Sequence, residues 1–188
     1  MISKSAIRAA MISRRRLLAI TEQVSCGKAI QNAFLGLEAY KQAASIALYL
    51  PVNGEVPTDD ILKHALAAGK LIYLPVIHND EIVLRQYSQF DKLKAGKFGI
   101  LEPPGESLIA HPQHIDIFVV PGVVFDQSCN RGGYGKGYYD RLLQSCCKDA
   151  VLIGFCYDFQ LVDAIAVESH DVSMDMVITE RRVISSCC

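Results

Sequence analysis

Val119-Val120-Pro121-Gly122-Val123-Val124-Phe125-Asp126, followed shortly by Arg131-Gly132-Gly133-Tyr134-Gly135-Lys136-Gly137-Tyr138-Tyr139-Asp140-Arg141, reads as a buried strand running into a loop and the loop into a helix. The glycines at 132, 133, 135 and 137 leave backbone N–H groups uncovered and let the chain take positive φ. Such a loop ahead of a helix N-terminus can wrap an anion, and the helix dipole adds to the attraction. Arg131 and Lys136 add full positive charges, so the parts of a polyphosphate cradle are present. Asp140 stands just beyond them. A carboxylate beside phosphate oxygens is repelled unless a cation lies between, and Mg²⁺ takes one or two carboxylates plus substrate phosphates. Tyr134, Tyr138 and Tyr139 offer rings to stack and hydroxyls to donate. A bare glycine-rich loop would read as flexible surface; the added Arg, Lys and Asp weigh against that here. The spacing Gly133-x-Gly135-x-Gly137 is neither G-x-G-x-x-G nor G-x-x-x-x-G-K-[ST], which speaks against the ordinary dinucleotide fold and the ordinary P-loop.

Working outward, residues 4–43 carry apolar positions at helical spacing (Ile7, Met11, Leu18, Ala29, Ala33, Leu37, Tyr40), with a break expected at Ser25-Cys26-Gly27. Residues 45–50 are strand-like and stop at Pro51. Thr58-Asp59-Asp60 opens a helix that runs to Ala68 and stops at Gly69. Residues 71–77 form a second buried strand, 81–87 alternate as an edge strand would, and 96–105 are loop. Residues 115–120 and 151–155 are further buried strands, 138–147 a helix, and 176–179 a last short strand. Strands alternating with helices predict an α/β protein whose sheet is largely parallel and covered on both faces. No repeat or linker divides the chain, so residues 1–188 are expected to be one domain.

Composition narrows the function classes. With 188 residues the chain fits one domain of ordinary size and needs no metal or disulfide staple to fold. Nineteen Lys+Arg against 20 Asp+Glu give a formal net charge of −1, so no global field holds a nucleic acid. No stretch reaches the ~20 apolar residues of a membrane helix, and no apolar run of secretory length follows Met1. The seven cysteines (26, 129, 146, 147, 156, 187, 188) make no C-x-x-C pair, and two of the pairs are adjacent, which suits neither a disulfide nor a zinc site. Free thiols in a reducing cytoplasm are expected.

At residues 121–141 the sequence resembles the 5-formyltetrahydrofolate cyclo-ligase (5,10-methenyltetrahydrofolate synthetase) family. The resemblance extends to Lys4-x-x-x-Arg8, Tyr49-Leu50-Pro51-Val52-Asn53-Gly54-Glu55, Gly99-Ile100-Leu101-Glu102-Pro103 and His170-Asp171-Val172-Ser173-Met174-Asp175. Two positions depart from the family pattern: glycine is usual where Cys129 stands, and a bulky aliphatic where Gly132 stands. The resemblance implies a three-layer, Rossmann-like open sheet, mostly parallel with helices on both faces. It also implies an ATP- and Mg²⁺-dependent cyclisation of 5-formyltetrahydrofolate to 5,10-methenyltetrahydrofolate, with release of ADP and phosphate.

Carried over position by position, the resemblance implies that Lys4 and Arg8 reach ATP from the first helix, where i, i+4 spacing puts them on one face. On the residues alone they read as a solvated face, where Arg14, Arg15 and Arg16 also belong. Arg131, Gly132, Gly133, Tyr134, Gly135, Lys136, Gly137, Tyr138 and Tyr139 would bind the nucleotide, with Lys136 and Arg131 as the catalytic cations. Leu50 and Glu55 would hold the folate, together with Tyr134, Gly135, Lys136, Gly137 and Tyr138. Glu102 and Pro103 would shape that wall, and His170 would orient its loop. Asp140 and Asp175 would be the Mg²⁺ ligands. The expected partners are small molecules, with no nucleic acid or membrane, and a monomer or weak homodimer. Two rivals share the cradle: a small-molecule kinase leaving a stable phosphorylated product, and a non-catalytic folate- or nucleotide-binding module.

Overall fold

The computed structural model describes residues 4–88 and 92–186; the Cys187-Cys188 pair lies outside them. Helices α1 (Lys4–Arg16), α2 (Ile20–Gly36) and α3 (Glu38–Gln42) precede β1 (Ser45–Leu48). After α4 (Asp59–Ala67) come the hairpin β2 (Leu71–His78) and β3 (Glu81–Tyr87), the short pair β4 (Lys94–Ala95) and β5 (Leu101–Glu102), and β6 (Ile109–Ala110). The chain continues through β7 (Ile117–Pro121), β8 (Val124–Asp126), β9 (Arg131–Gly132), α5 (Tyr138–Leu143), β10 (Val151–Phe155), β11 (Leu161–Val162), β12 (Met176–Ile178) and β13 (Val183–Ser185).

The main sheet runs β13-β12-β10-β7-β1-β2-β3-β6. Its five central strands, β12 to β2, are parallel; β13, β3 and β6 add antiparallel flanks. The fold is therefore α/β with a mostly parallel sheet. Side-chain alternation fills both faces: Ile46, Leu48, Ile117, Val119, Ile153 and Phe155 pack with Ile30, Phe34, Tyr40, Ile61 and Ala65 of α2–α4. Ala47, Phe118, Val120, Leu152 and Val177 point the other way, towards Phe125 and the α5 residues Leu142 and Leu143. From β1 the chain winds one way to β2 and the other way to β7, β10 and β12. The reversal lies between β1 and β7, and in open α/β sheets ligands bind outside the carboxyl ends of the strands at such a switch point.

Several local expectations are corrected. The N-terminal helical stretch breaks at residues 17–19 and again at Leu37, not at Ser25-Cys26-Gly27. Gly27 is buried inside α2, and a Cβ there would stand 2.6 Å from Pro57 Cδ, so this glycine allows close packing and stops nothing. Thr58 does not cap α4 with its side chain; its hydroxyl donates to Tyr49 O at 2.8 Å, tying the loop after β1 to the helix start. Strand β3 is not the outermost, because β6 pairs with it. Helix α5 ends at Leu143, four residues before Cys147, so its dipole adds less to the loop ahead of it than a helix over 138–147 would.

Candidate active site

A cleft of about 840 Å³ opens at the carboxyl ends of β1 and β7. Its walls come from α1, the 49–55 loop, the β2–β3 hairpin, Ile100 and Glu102, the loop after β9, and residues 165–171. The cleft gathers Lys4, Arg8, Leu50, Glu55, Glu102, Asp140, His170, Asp171 and every residue from Arg131 to Tyr139.

The glycine loop is aimed by a buried carboxylate behind it. Asp126, 2% exposed, accepts the backbone N–H groups of Ser128 (3.0 Å), Asn130 (2.9 Å) and Ile165 (3.0 Å) and the Asn130 side-chain amide (3.0 Å). This closes a tight turn whose left-handed residue is Cys129, at φ 61°, where the family resemblance calls for glycine. Gly132 pairs opposite Val124, and a Cβ on it would meet Val124 Cγ1 at 2.6 Å, so a larger residue needs a different partner there. Gly135 (φ 93°) and Gly137 (φ 66°) take positive φ and turn the chain into α5.

Cations surround this loop. Arg131, buried, donates to Asp140 Oδ1 at 2.7 Å, and its guanidinium lies 5.7 Å from the Tyr139 ring centroid. Arg8 reaches the loop from α1, with Nη1 3.5 Å from where a Gly135 Cβ would be. The buried Nε atoms of Arg8 and Arg131 have no hydrogen-bond partner. Buried donors are rarely left so, and an anionic ligand oxygen satisfies them. Lys136 is exposed at the cleft mouth. Lys4, in the same cleft, donates to Glu168 Oε1 at 2.8 Å and Asp171 Oδ2 at 3.2 Å. Burial works to raise the Asp171 carboxyl, but the Glu168 backbone N–H and the Lys4 ammonium hold it below its ordinary value.

Glu55, 6% exposed, also lines the cleft and accepts Val52 N–H on Oε2 (3.1 Å) and the Tyr134 hydroxyl on Oε1 (3.0 Å). Burial pushes its carboxyl up, opposed by the Val52 N–H, Arg15 and Tyr134. Two of its lone-pair sites are occupied and two are left for a ligand. Leu50, Ile77 and Ile82 supply apolar wall. Burial raises the Tyr134 and Tyr139 hydroxyls, so both stay protonated donors.

Sequence reasoning missed side chains in the cleft wall, such as Glu168, and others that support it from outside, Arg15 and Asp80. Arg15 is 1% exposed and not on a solvated face. Glu168 anchors Lys4, and Asp80, at the β2–β3 hairpin tip, accepts from Tyr138 (3.2 Å) and Lys97 (2.7 Å). Pro103 is buried and is not part of the cleft wall. His170 keeps an exposed side chain while its backbone carbonyl accepts Gln144 Nε2 at 3.0 Å.

Asp175 is not brought to Asp140. Its carboxylate accepts Leu152 N–H at 2.7 Å and its own N–H donates to Leu152 O at 2.8 Å, near the amino ends of β10 and β12, at the far end of the sheet from the cleft. Among the described residues no cluster of three or more His, Cys, Asp or Glu gathers as a metal site. Asp140 fits a different kind of site: Arg131 takes one oxygen, Oδ2 makes no hydrogen bond, and the unpartnered guanidinium donors beside it call for phosphate oxygens. A carboxylate of this kind with substrate phosphates is the usual Mg²⁺ ligand set. No helix among the described residues is long and apolar enough to cross a membrane.

Solved structures share this fold, and known proteins resemble it in sequence. The NMR structure of Aquifex aeolicus 5,10-methenyltetrahydrofolate synthetase superposes with a TM-score of 0.88 at 32% identity, covering 98% of this chain and 93% of that one. A 5,10-methenyltetrahydrofolate synthetase from Mycoplasma pneumoniae gives 0.78 at 28%, covering 95% and 99%. The 5-formyltetrahydrofolate cyclo-ligase of Mycolicibacterium smegmatis is 32% identical over 96% of this chain and 95% of its own, and that of Escherichia coli K12 29% over 90% and 96%. The profile of the 5-formyltetrahydrofolate cyclo-ligase family matches residues 1–180, and the chain belongs to that family of ligases.

Proposed function

We propose that this protein cyclises 5-formyltetrahydrofolate to 5,10-methenyltetrahydrofolate with ATP as phosphoryl donor and Mg²⁺ as its companion cation. One observation supports the reading: a single cleft is lined by the whole loop from Arg131 to Tyr138 together with Arg8 and with Leu50 and the buried carboxylate Glu55. A triphosphate and a pteridine can lie side by side there, both touching the same loop.

The chemistry sets the requirement. A formamide oxygen leaves poorly. Once it accepts the γ-phosphoryl group, with ADP leaving, it becomes an iminium phosphate; the neighbouring amine of the same folate attacks that carbon and gives up its proton, and phosphate departs with the former formyl oxygen. Glu55 accepts the adjacent N–H donors of the pterin edge and fixes the formyl group relative to the loop. Arg131, held by Asp140 at 2.7 Å, presents a guanidinium of set orientation to the phosphates, and Arg8 adds a second. Lys136 neutralises the charge on the transferring phosphoryl. Positioning and charge neutralisation are what such transfers need. Asp140 would hold Mg²⁺, which when bound supplies further neutralisation between phosphate oxygens.

The test is a coupled assay of ADP release with and without 5-formyltetrahydrofolate, read alongside the absorbance of the methenyl product. ADP and methenyl product appearing together, in equal amounts and only with both substrates, is the expected result. A stable phosphorylated folate, or tight binding without ADP, would replace the reading with one of its rivals.

A further inference from the structure

Helix α1 carries Lys4 and Arg8 to the cleft, yet its one fully buried side chain is a cation, Arg15. The guanidinium is divided among three walls. Nε donates to Asn53 O at 2.9 Å, in the loop that bears Glu55. Nη1 donates to Gly122 O at 3.4 Å, just past β7. Nη2 donates to the Tyr134 hydroxyl, which in turn donates to Glu55 Oε1 at 3.0 Å; Nη2 itself is 4.0 Å from that oxygen. Asn53 and Gly54, at φ 52° and 73°, turn the loop so closely that a Gly54 Cβ would stand 3.5 Å from Arg15 Cγ. A buried cation costs heavily unless each of its donors has work to do. Aliphatic anchoring of α1 would not require one.

We propose that Arg15 is a positioning residue for the folate reaction: through the Tyr134 hydroxyl it keeps Glu55 an ionised, fixed acceptor for the pteridine N–H edge and ties that carboxylate to the glycine loop. This rests on the proposed folate-cyclising function. The groups facing Glu55 make Arg15 decisive. Val52 N–H and the Tyr134 hydroxyl bond Glu55 and Arg15 lies 4.0 Å away, while the hydroxyls of Tyr49 (after β1), Tyr139 (α5) and Tyr157 (after β10) only feel its charge. Arg15 is the only cation among them. Burial drives the Glu55 carboxyl up, and Arg15 and Tyr134 both oppose it. Removing either lets the proton return at a higher pH, and a protonated oxygen no longer accepts two pterin donors.

The experiment compares wild type with Arg15→Met, Arg15→Lys and Tyr134→Phe, measuring KM for 5-formyltetrahydrofolate and for MgATP across acid to neutral pH. Tyr134→Phe removes the relay hydroxyl and leaves Arg15 on Asn53 and Gly122, so it answers the question even if Arg15→Met folds poorly. In Arg15→Met and Tyr134→Phe the acidic limb of kcat/KM for the folate should move up by about one pH unit. The folate KM at neutral pH should rise about tenfold, the scale of one lost charge-assisted hydrogen bond. Arg15→Lys should restore the limb towards wild type. A purely structural anchor predicts equal, pH-independent rises in both KM values, and Tyr134→Phe with an unmoved limb overturns the proposal. Wild-type protein that forms no methenyl product would instead refute the reading on which it stands.

Discussion

Gly154 tests how tightly the sheet is fitted to the site. It lies in β10, and a Cβ on it would stand 2.4 Å from Cε1 and 2.9 Å from Cζ of Phe125. The Phe125 ring is fully buried and cannot retreat, because a Cβ on Gly122 would meet its opposite edge, also at 2.4 Å. Gly154→Ala gains about 0.5–1 kcal/mol from the stiffer unfolded chain. Overpacking against a trapped ring costs about 1–3 kcal/mol. Taking the middle of each range, the net loss is about 1 kcal/mol, a fall in Tm of about 2–4 °C for a chain of this size. Phe125 pairs with Arg131 across β8 and β9, so the displaced ring also shifts a cleft guanidinium, and kcat should fall with Tm. Melting by circular dichroism and initial rates on Gly154→Ala, Phe125→Leu and the double variant check this. The smaller side chain should relieve the alanine, giving a coupling of about 1 kcal/mol or more. A Gly154→Ala protein that melts with the wild type, or a strictly additive double variant, would refute the packing argument.

Lys136→Ala should lose about 10²–10³ in kcat, the cost of one donor aimed at developing charge, with Tm unchanged because the side chain is exposed. The sequence alone predicts that Asp140→Ala also stays folded. The structure revises this: the substitution strands the buried Arg131, at a cost of about 3–5 kcal/mol, so Asp140→Asn is the clean probe and should lose turnover with a far smaller change in melting. The Asp171 carboxyl is held low, so its contact with Lys4 stabilises above the unfolded value near about pH 4 and is lost as pH falls through the lower folded value. Hydrogen exchange should show the start of α1 loosening over that acidic range, and Asp171→Asn should loosen it already at neutral pH.

The central parallel strands were legible because a strand buried on both faces has no choice but a continuous apolar run, as in Ile117–Pro121 and Val151–Phe155. The glycine loop was legible because it concentrates its chemistry locally. The short strands were not: β6 and β11 are two residues long and pair with distant partners, which leaves no periodicity, and β9 is too short to show any although β8 is close in sequence. Arg15 was hidden for a related reason. In the run Arg14-Arg15-Arg16 every side chain has the same solvated look, and only the 49–55 loop folding back onto α1 separates the middle one from its neighbours, which remain exposed. Asp175 shows the converse error, since sequence order says nothing about which end of a strand a residue occupies; it precedes β12, and the cleft follows the strands. What escaped the sequence was therefore the set of contacts closing the cleft between segments far apart in the chain. Those contacts place a buried cation, Arg15, next to a buried carboxylate, Glu55, which joins the packing of α1 to the proposed folate-side acceptor.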